Sequence, residues 1–300
     1  DLTGAKFKIN SNNVILAGFT NGSSLQLSNF YNTLIGASGL NFNNISGTAT
    51  TYKIGVIDGL NGVNSFTLDE KLDKKVAVSD SSSNSAKYVR NFLVQKSRLE
   101  VNKDVSAVIS SADANVLGVS YVNGLDLSSN NGAASNNETI MNVNGVNVTA
   151  DRTDAGAGAV GLYINYGKLN IAAGTKVDVE TGNNVVNDSA IGVFALNGSE
   201  VDNKADITVK GNKSIGIAGM TYRENEGVAI VDEYGATGVG QGTISVKNTG
   251  NIKLDGKEAV GIFIKNNNDV STSSVVAATK AENAAGGTIE LTGNESTGMY

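Results

Sequence analysis

The side chains of this chain that come closest to a catalytic arrangement are pairs of acidic residues. Asp178 and Glu180 are two positions apart in an alternating segment, so both project from one face of a predicted strand. By the same parity, Asp202 and Asp206 share a face. Two carboxylates about 5–9 Å apart can hydrolyse a glycosidic bond, and a carboxylate beside Lys or Arg can abstract a proton from a uronic acid. A carbohydrate-active β-helix enzyme, either a polysaccharide lyase or a hydrolase, is therefore one hypothesis.

The surroundings of these carboxylates also fit an ordinary exposed strand. Lys176 alternates with Asp178 and Glu180, as charged residues do on a solvated face. The chain contains no His, which removes the commonest general base and every serine triad that depends on it. It also has no Cys, no EF-hand loop and no GGxGxD nonapeptide. We therefore expect no catalytic residue, no metal site and no enzymatic activity.

A second chemical motif is the GxGxxG run formed by Gly156, Gly158 and Gly161. In a dinucleotide-binding turn these glycines follow a strand, open a helix and precede an acidic residue about 20 positions on. The residues after Gly161 read LYINYGKLNI, which is typical of a strand rather than a helix. We therefore expect no cofactor.

The elements that must position any site are predicted by a recurring phrase. Each copy has an alternating apolar run, a glycine, four variable residues, a second glycine and another apolar segment, which predicts strand, turn and strand. The clearest copies are Asp206–Met220, Asn251–Lys265 and Thr288–Tyr300. Their glycine pairs are Gly211 and Gly216, Gly256 and Gly261, and Gly293 and Gly298. We attribute these glycines to sharp corners, because glycine tolerates positive φ.

The spacing of the second glycine in the phrase predicts the fold class. It recurs at positions 118, 161, 192, 216, 261 and 298, so the phrase is constant while its spacing varies. That combination is typical of a solenoid that accepts insertions as loops. We predict an all-β fold, a right-handed parallel β-helix with loop insertions, of about ten to fourteen coils. An antiparallel sandwich or barrel is the competing fold, but it gives no reason for one phrase to recur.

The predicted domain organisation is a single solenoid over residues 1–300. Residues 1–110 form irregular coils, and residues 111–300 form regular glycine-centred coils with insertions at 221–242 and 266–287. Leu68–Val78 and Tyr88–Val94 fit a short helix as well as a strand, and Val275–Ala285 permits a short helix.

The first insertion holds the candidate binding residues. Tyr222, Arg223 and Tyr234 lie there among acidic residues. Loops longer than about 15 residues are uncommon and are often functional. The alternative is that both insertions are tolerated surface loops with no binding role.

Four aromatic residues stand two positions after a second glycine, namely Tyr163, Phe194, Phe263 and Tyr300. If the coils are in register, these residues stack as a ladder on the face opposite the main apolar stripe. A stacked aromatic surface can hold sugars, but we favour simple packing within the ladder.

Composition limits the partners. The formal net charge is -6 with 17% charged residues, which argues against nucleic acid because phosphates need a basic stripe. The absence of Pro fits a structure made largely of strands. We find no apolar run of about 18 residues that would span a bilayer as a helix. The chain opens on Asp1 without a signal peptide and stops within its last repeat, so we expect a mature protein or, better, a fragment.

These features together resemble a known family. TIxxxG, then [NK]x[SA], then apolar-Gly-apolar-[FY], in a chain rich in Gly and Asn and free of Cys and Pro, resembles the passenger region of large fusobacterial-type autotransporter adhesins of type V secretion. The phrases that carry it best are Gly287–Tyr300 and Ala259–Asn266. The resemblance covers roughly residues 155–300 well, and residues 1–110 only in composition.

The resemblance implies a β-helical stalk on the surface of a Gram-negative bacterium, anchored to the outer membrane by a C-terminal barrel that this chain does not contain. It implies attachment to a host cell-surface protein or glycan, or to a partner bacterium, and therefore a role in virulence. It implies no residue-level site. We expect a non-enzymatic adhesin segment; the alternatives are the carbohydrate-active β-helix enzyme and a purely structural stalk.

Overall fold

The fold is built from parallel strands in the computed structural model of this chain. The structure describes residues 7–9, 13–20, 45–47, 51–58, 65–68, 75–78, 88–95, 98–111, 121–128, 140–152, 158–165, 167–181, 190–196, 198–221, 243–265 and 279–300. Every regular element in these ranges is a strand. In chain order the strands are β1 Phe7–Ile9, β2 Asn13–Thr20, β3 Ile45–Gly47, β4 Thr51–Asp58, β5 Ser65–Leu68, β6 Lys75–Val78, β7 Tyr88–Gln95, β8 Arg98–Val101, β9 Val105–Ser111, β10 Tyr121–Ser128, β11 Ile140–Val143, β12 Asn147–Arg152, β13 Gly158–Asn165, β14 Lys168–Ile171, β15 Lys176–Thr181, β16 Ala190–Leu196, β17 Glu200–Asn203, β18 Asp206–Lys210, β19 Ile215–Met220, β20 Ser245–Asn248, β21 Asn251–Asp255, β22 Val260–Lys265, β23 Lys280–Asn283, β24 Thr288–Leu291 and β25 Thr297–Met299.

Three long sheets collect these strands in a regular order. Sheet I has nine strands in the order β2-β4-β7-β10-β13-β16-β19-β22-β25. Sheet II has seven strands from β5 to β23, and sheet III has seven from β6 to β24, each taking every third strand of the chain. A separate two-stranded sheet pairs β1 with β3. A coil therefore contributes one strand to sheet II, the next to sheet III and the third to sheet I, as β14, β15 and β16 do.

Every pairing within the three sheets is parallel, and the strands stack without slipping. Val177 of β15 pairs with Ile207 of β18, and Ile207 pairs with Ile252 of β21. Parallel neighbours need a long crossover connection, and here each crossover is the rest of one coil. The predicted parallel β-helix is confirmed as three stacked parallel sheets; its right-handed sense stays a prediction.

The described strands account for seven coils of three strands, and the predicted total of about ten to fourteen coils for the whole chain stays a prediction. These seven coils run from β5 to β25, after β2 and β4 of sheet I. Sheet II strands begin at residues 65, 98, 140, 168, 200, 245 and 280, so all but one of these spacings exceed the assumed repeat of about 20–30 residues. Residues inserted between strands lengthen the chain per coil without adding a new layer.

Alternation within sheets II and III separates the core from the solvent. In β18, Ile207 and Val209 are buried while Asp206 and Lys210 are exposed. The same pattern in the sheet II and sheet III strands from β8 to β21 makes one apolar core, against which Ala281, Ile289 and Leu291 of the last coil pack. Full burial of such a side chain contributes about 1.5–3 kcal/mol. The period of two in the sequence thus builds the core as predicted.

Sheet I differs because part of it is buried on both faces. All seven residues of β16 are buried. Val193 points into the core, while Phe194 points away from it and is still only 3% exposed. Burial of the outward face fades towards the last coil: Phe263 of β22 is half-buried, and Tyr300 after β25 is 77% exposed. Strands buried on both faces read as continuous apolar runs, which explains the sequence AIGVFAL.

The second glycines at positions 161, 192, 216, 261 and 298 lie within sheet I strands, so the prediction that they form corners is wrong there, while Gly118 lies outside the described residues. A Cβ atom on Gly192 would lie 2.6 Å from the carbonyl oxygen of Gly216 and 2.5 Å from Cγ2 of Ile207. Gly161 and Gly216 meet equivalent neighbours. Glycine is needed there because two backbones and a β-branched side chain approach closely inside the core.

The first glycine of the phrase does occupy a corner. Gly211 and Gly256 have φ values of 129° and 155°, which L side chains rarely adopt. Two residues later each turn holds a non-glycine residue in the left-handed region: Lys213 at 58° and Glu258 at 57°. The structure therefore assigns the positive φ to the turn, between sheet III and sheet I.

A column of asparagines lies at the other corner, between sheets II and III. Asn203, Asn248 and Asn283 are in register. Nδ2 of Asn203 donates to Oδ1 of Asn248 over 2.6 Å, and Nδ2 of Asn248 donates to Oδ1 of Asn283 over 2.7 Å. Nδ2 of Asn248 also donates to the carbonyl of Gly250. The column satisfies amides that burial would otherwise leave without partners.

The segments with ambiguous patterns are strands where they are described. Lys75–Val78 is β6 and Tyr88–Gln95 is β7. The short helix permitted by Val275–Ala285 is replaced at Lys280–Asn283 by β23, which pairs with β20. The second predicted insertion therefore contains one strand of sheet II. Over the ranges given above, no helix is long and apolar enough to cross a membrane.

Candidate functional site

The residues predicted to bind a partner cannot be placed. Tyr222, Arg223 and Tyr234 all lie outside the described residues, so their role stays a prediction.

Gly158 and Gly161 of the GxGxxG motif lie in β13, and the chain continues as a strand to Asn165. A dinucleotide turn would open a helix at that point.

The structure keeps one of the two predicted carboxylate pairs on a single face and separates the other. Asp178 and Glu180 do share the outward face of β15. Asp202 and Asp206 do not share a face, because Asp202 is in β17 of sheet II and Asp206 is in β18 of sheet III. The even spacing of Asp202 and Asp206 does not place them on one face, because residues 204 and 205 turn the chain from sheet II to sheet III between them. Nζ of Lys204 lies 3.1 Å from Oδ2 of Asp202.

The predicted aromatic ladder is broken into two pairs. Tyr163 and Phe194 pack edge to face with ring centroids 5.7 Å apart. Phe263 and Tyr300 stack with centroids 5.6 Å apart and an interplanar angle of 2°. Ala218 occupies the register position between Phe194 and Phe263, so the four rings do not form one surface. The buried pair cannot hold a sugar, because Tyr163 and Phe194 are covered.

A groove of about 440 Å³ runs along the corner between sheets III and I. It crosses four successive coils, and every lining residue is polar, charged or glycine. We call it the corner groove. It is lined by Glu180, Thr181, Lys210, Gly211, Asn212, Asp255, Gly256, Lys257, Thr292, Gly293 and Asn294.

One wall of the corner groove is a column of charged and hydroxyl side chains. In register, Glu180 is followed by Lys210, and Lys210 by Asp255. Nζ of Lys210 lies 3.2 Å from Oε2 of Glu180. Oγ1 of Thr292 donates to Oδ1 of Asp255 over 3.0 Å. These side chains point outward at or next to the ends of the sheet III strands and are in register, which is why they form a straight wall.

The floor of the corner groove is a column of glycines. A Cβ atom on Gly256 would collide with the carbonyl group of Gly211, and one on Gly293 would collide with that of Gly256. Because glycine has no side chain, the turns can stack closely, and an open channel remains above them. The backbone there is already paired, since the amide of Gly211 donates to the carbonyl of Asp255 over 2.8 Å.

Thr181 starts this floor column with a side chain where later coils have glycine. Its hydroxyl fills the space that a Cβ on Gly211 would take. The side chain is only 3% exposed, and its Oγ1 has no hydrogen-bond partner. Buried hydroxyl groups normally have a partner, so this one is an exception at the edge of a groove.

The charges of the corner groove cancel. Glu180 and Asp255 carry negative charge, while Lys210 and Lys257 carry positive charge. The ion pair between Lys210 and Glu180 has both side chains about half exposed, so it contributes roughly 0–1 kcal/mol to stability. The groove thus offers many hydrogen-bonding groups and no net field to attract a polyion.

The groove supports binding better than glycosidic chemistry. Glu180 and Asp255 flank Lys210 at two coil steps, roughly 10 Å apart by the strand spacing. Each carboxylate already has a partner, Lys210 or Thr292. In the described part of the chain no three acidic side chains gather to hold a metal ion.

Sequence reasoning missed the corner groove because it explained the first glycines as corners and stopped there. The available signal was the polar residue before each of them, Lys210, Asp255 and Thr292, which alternation places on the outside.

Comparison of this chain with protein-family models, curated proteins and solved structures finds no match.

Proposed function

We propose that this chain is a segment of a bacterial surface adhesin, in which a β-solenoid carries a shallow binding groove on its side. The observation that carries the proposal is the corner groove, whose polar lining spans four coils. A shallow groove suits attachment to an extended partner. The partner is a host cell-surface protein or glycan, or the surface of another bacterium.

The construction of the solenoid supports a role as a stalk that bears load. Each coil is joined to the next in three parallel sheets, and their pairing reaches from β2 to β25 in sheet I. The stacked coils bury one continuous core. The resemblance of Gly287–Tyr300 to autotransporter passengers supports placement on the outer surface of a Gram-negative bacterium, with the parent protein anchored in its outer membrane.

A purely structural stalk is the second candidate, and the ion pairs favour it. Lys253 of β21 pairs with Glu290 of β24 over 3.0 Å, away from the corner groove. This pair joins neighbouring coils just as Lys210 and Glu180 do. Charged residues on the outside of sheet III therefore also have a role in holding coils together. An enzyme is not favoured, since the two carboxylates of the groove are partnered.

An assay of attachment under flow distinguishes an adhesin that binds through the corner groove from a purely structural stalk. Beads coated with the whole chain are passed over epithelial cells and over a lawn of bacteria, and bound beads are counted. The Glu180→Ala, Lys210→Ala variant removes the ion pair of the groove. Its matched control is Lys253→Ala, Glu290→Ala, which removes an equivalent pair outside the groove.

We expect the groove variant to lose at least tenfold in bound beads and the control to bind like the unchanged chain. Equal attachment of all three would contradict binding through the groove. Absence of attachment by the unchanged chain to either surface would favour the structural stalk.

A further inference from the structure

We infer that the corner groove binds an uncharged, extended polysaccharide that lies along the axis of the solenoid. This inference rests on the proposed function and names the partner chemistry for the same groove. Four properties of the groove carry it: its hydrogen-bonding groups, its charge balance, its repeat along the axis and one buried hydroxyl.

The hydrogen-bonding groups match those of sugars. Sugar hydroxyls both donate and accept, and the groove provides both kinds of partner. Asp255 accepts, Lys257 donates, and the amides of Asn212 and Asn294 do both. Because these groups stand on opposite sides of a glycine floor, a flat ring between them can bond to both walls.

The charge balance selects an uncharged chain. Two carboxylates and two ammonium groups line the groove, and they alternate along the wall from Glu180 through Lys210 to Asp255. A polyanion such as a sulfated glycan would meet a carboxylate for every ammonium group. Polyanion sites need a cluster of one sign, as nucleic-acid sites do.

The repeat along the axis selects a chain molecule with regular units. Equivalent residues recur at the coil spacing of about 4.8 Å, so the four coils of the groove present a row roughly 14 Å long. A sugar ring linked through its opposite ends advances by a similar step. Successive rings can therefore meet equivalent groups on successive coils.

An extended peptide fits the groove less well. Extended peptides bind by pairing with a free sheet edge and by placing side chains in pockets. The backbone under this groove is already used between coils: the amide of Gly211 donates to Asp255, and the amide of Thr292 donates to the carbonyl of Leu254 over 3.1 Å. Every lining residue is polar, charged or glycine, so no apolar pocket is formed.

The buried hydroxyl of Thr181 is an independent sign of a missing partner. Its Oγ1 lies at one end of the floor, beside Gly211, and lacks a hydrogen bond. Oγ1 is covered in the free protein, so a ring hydroxyl at that end of the groove supplies the hydrogen bond when the Thr181 side chain turns towards it. A residue kept without a partner in the free protein is expected to favour binding over stability.

The test measures binding of the whole chain to named oligosaccharides by isothermal titration. The neutral probes are the hexasaccharides of glucan, mannan, galactan and xylan, and the charged probe is a heparin hexasaccharide. Three variants are compared with the unchanged chain: Thr181→Val in the floor, Lys257→Ala at the rim, and Lys247→Ala on the outside of sheet II as the control. Melting temperature is recorded for each.

We expect at least one neutral probe to bind and heparin not to bind. Thr181→Val should weaken binding at least fivefold while raising the melting temperature, because valine removes the unpaired hydroxyl and keeps the shape. Lys257→Ala should weaken binding as well, and Lys247→Ala should leave it unchanged.

Four outcomes would overturn the inference. Binding of heparin alone would show that the charge argument is wrong. Thr181→Val with unchanged affinity would show that the hydroxyl does not face the ligand. A loss of affinity in Lys247→Ala equal to that in Lys257→Ala would show that the ligand binds outside the corner groove. Failure of every neutral probe, with bead attachment still dependent on Glu180 and Lys210, would overturn the glycan inference and leave the proposed adhesin standing.

Discussion

Gly216 lies against Gly261 of the next coil, so that a Cβ atom on Gly216 would be 2.5 Å from the carbonyl oxygen of Gly261. The same Cβ would be 2.5 Å from Cγ2 of Ile252 in sheet III. Sheets I and III therefore approach each other closely at this position inside the core. Stacking of the coils depends on the absence of a side chain at this position.

Gly216→Ala is expected to destabilise the chain by about 1–3 kcal/mol or more, because neither the carbonyl nor the isoleucine can withdraw. The matched control is Gly298→Ala in the last coil, where a Cβ would meet nothing within 4 Å. That change should stay within about 0.5 kcal/mol. Urea unfolding measures the stability of both variants, and equal unfolding midpoints for the two would contradict the packing argument.

Lys213→Asn is expected to stabilise the chain by about 0.5–1 kcal/mol, because Asn tolerates the left-handed conformation better than Lys. Lys213 has a φ of 58°, and its 3.9 Å contact with Glu258 involves half-exposed side chains and adds little. Lys257→Asn is the control, since Asn212 and Asn294 already occupy that position in neighbouring turns. A melting temperature raised by both variants alike would point to lost charge, not relieved strain.

Asn248→Ala is expected to cost about 1–3 kcal/mol, because it removes the hydrogen bonds of a buried amide to Asn203, to Asn283 and to the carbonyl of Gly250. Asn251→Ala in the same coil removes exposed hydrogen bonds to Asp206 and Thr288 and should cost less than about 0.5 kcal/mol. Thermal unfolding measures both. Hydrogen exchange should also quicken in β17 and β23 of the first variant only.

The Glu180→Ala, Lys210→Ala variant used for attachment is expected to keep its fold. Its ion pair is about half exposed, so the loss should not exceed about 1 kcal/mol, as in Lys253→Ala, Glu290→Ala. Salt should reduce the difference from the unchanged chain. A much larger loss in the groove variant would mean that its reduced attachment reflects unfolding.

Joint substitution of Tyr222, Arg223 and Tyr234 by Ala tests the binding role predicted for the first insertion. We expect fewer bound beads in the flow assay and an unchanged melting temperature, since aromatic and Arg side chains supply much of the energy at interfaces. Attachment equal to that of the unchanged chain would leave the corner groove as the binding surface.

Alternation in the sequence was enough to predict the strands of the regular coils. Ile207 and Val209 face the core because burial follows the period of two, which is a local property of the chain. The recurring phrase was enough to predict parallel stacking, because one apolar stripe per coil is stable only against its neighbours. The total number of coils stays a prediction, because turn length in the sequence does not reveal which residues leave the solenoid.

The corner groove could not be predicted, because it belongs to no single coil. Its wall needs Glu180, Lys210 and Asp255 in register across three coils, and their separations in sequence are 30 and 45 residues. The asparagine column and the contact between Gly216 and Gly261 arise in the same way. Asp202 and Asp206 show the converse case, because neighbours in sequence are separated by a corner.

By itself the sequence determined that the described part of this chain is all-β, that its coils repeat and which face of the regular sheet II and sheet III strands is buried. These are properties of residues two to five positions apart. The tertiary structure alone decided which residues stand above one another, because register along the axis is set by the packing of whole coils. The first glycine of each phrase is a turn in the sequence, but stacked as Gly211, Gly256 and Gly293 it becomes the floor of a groove.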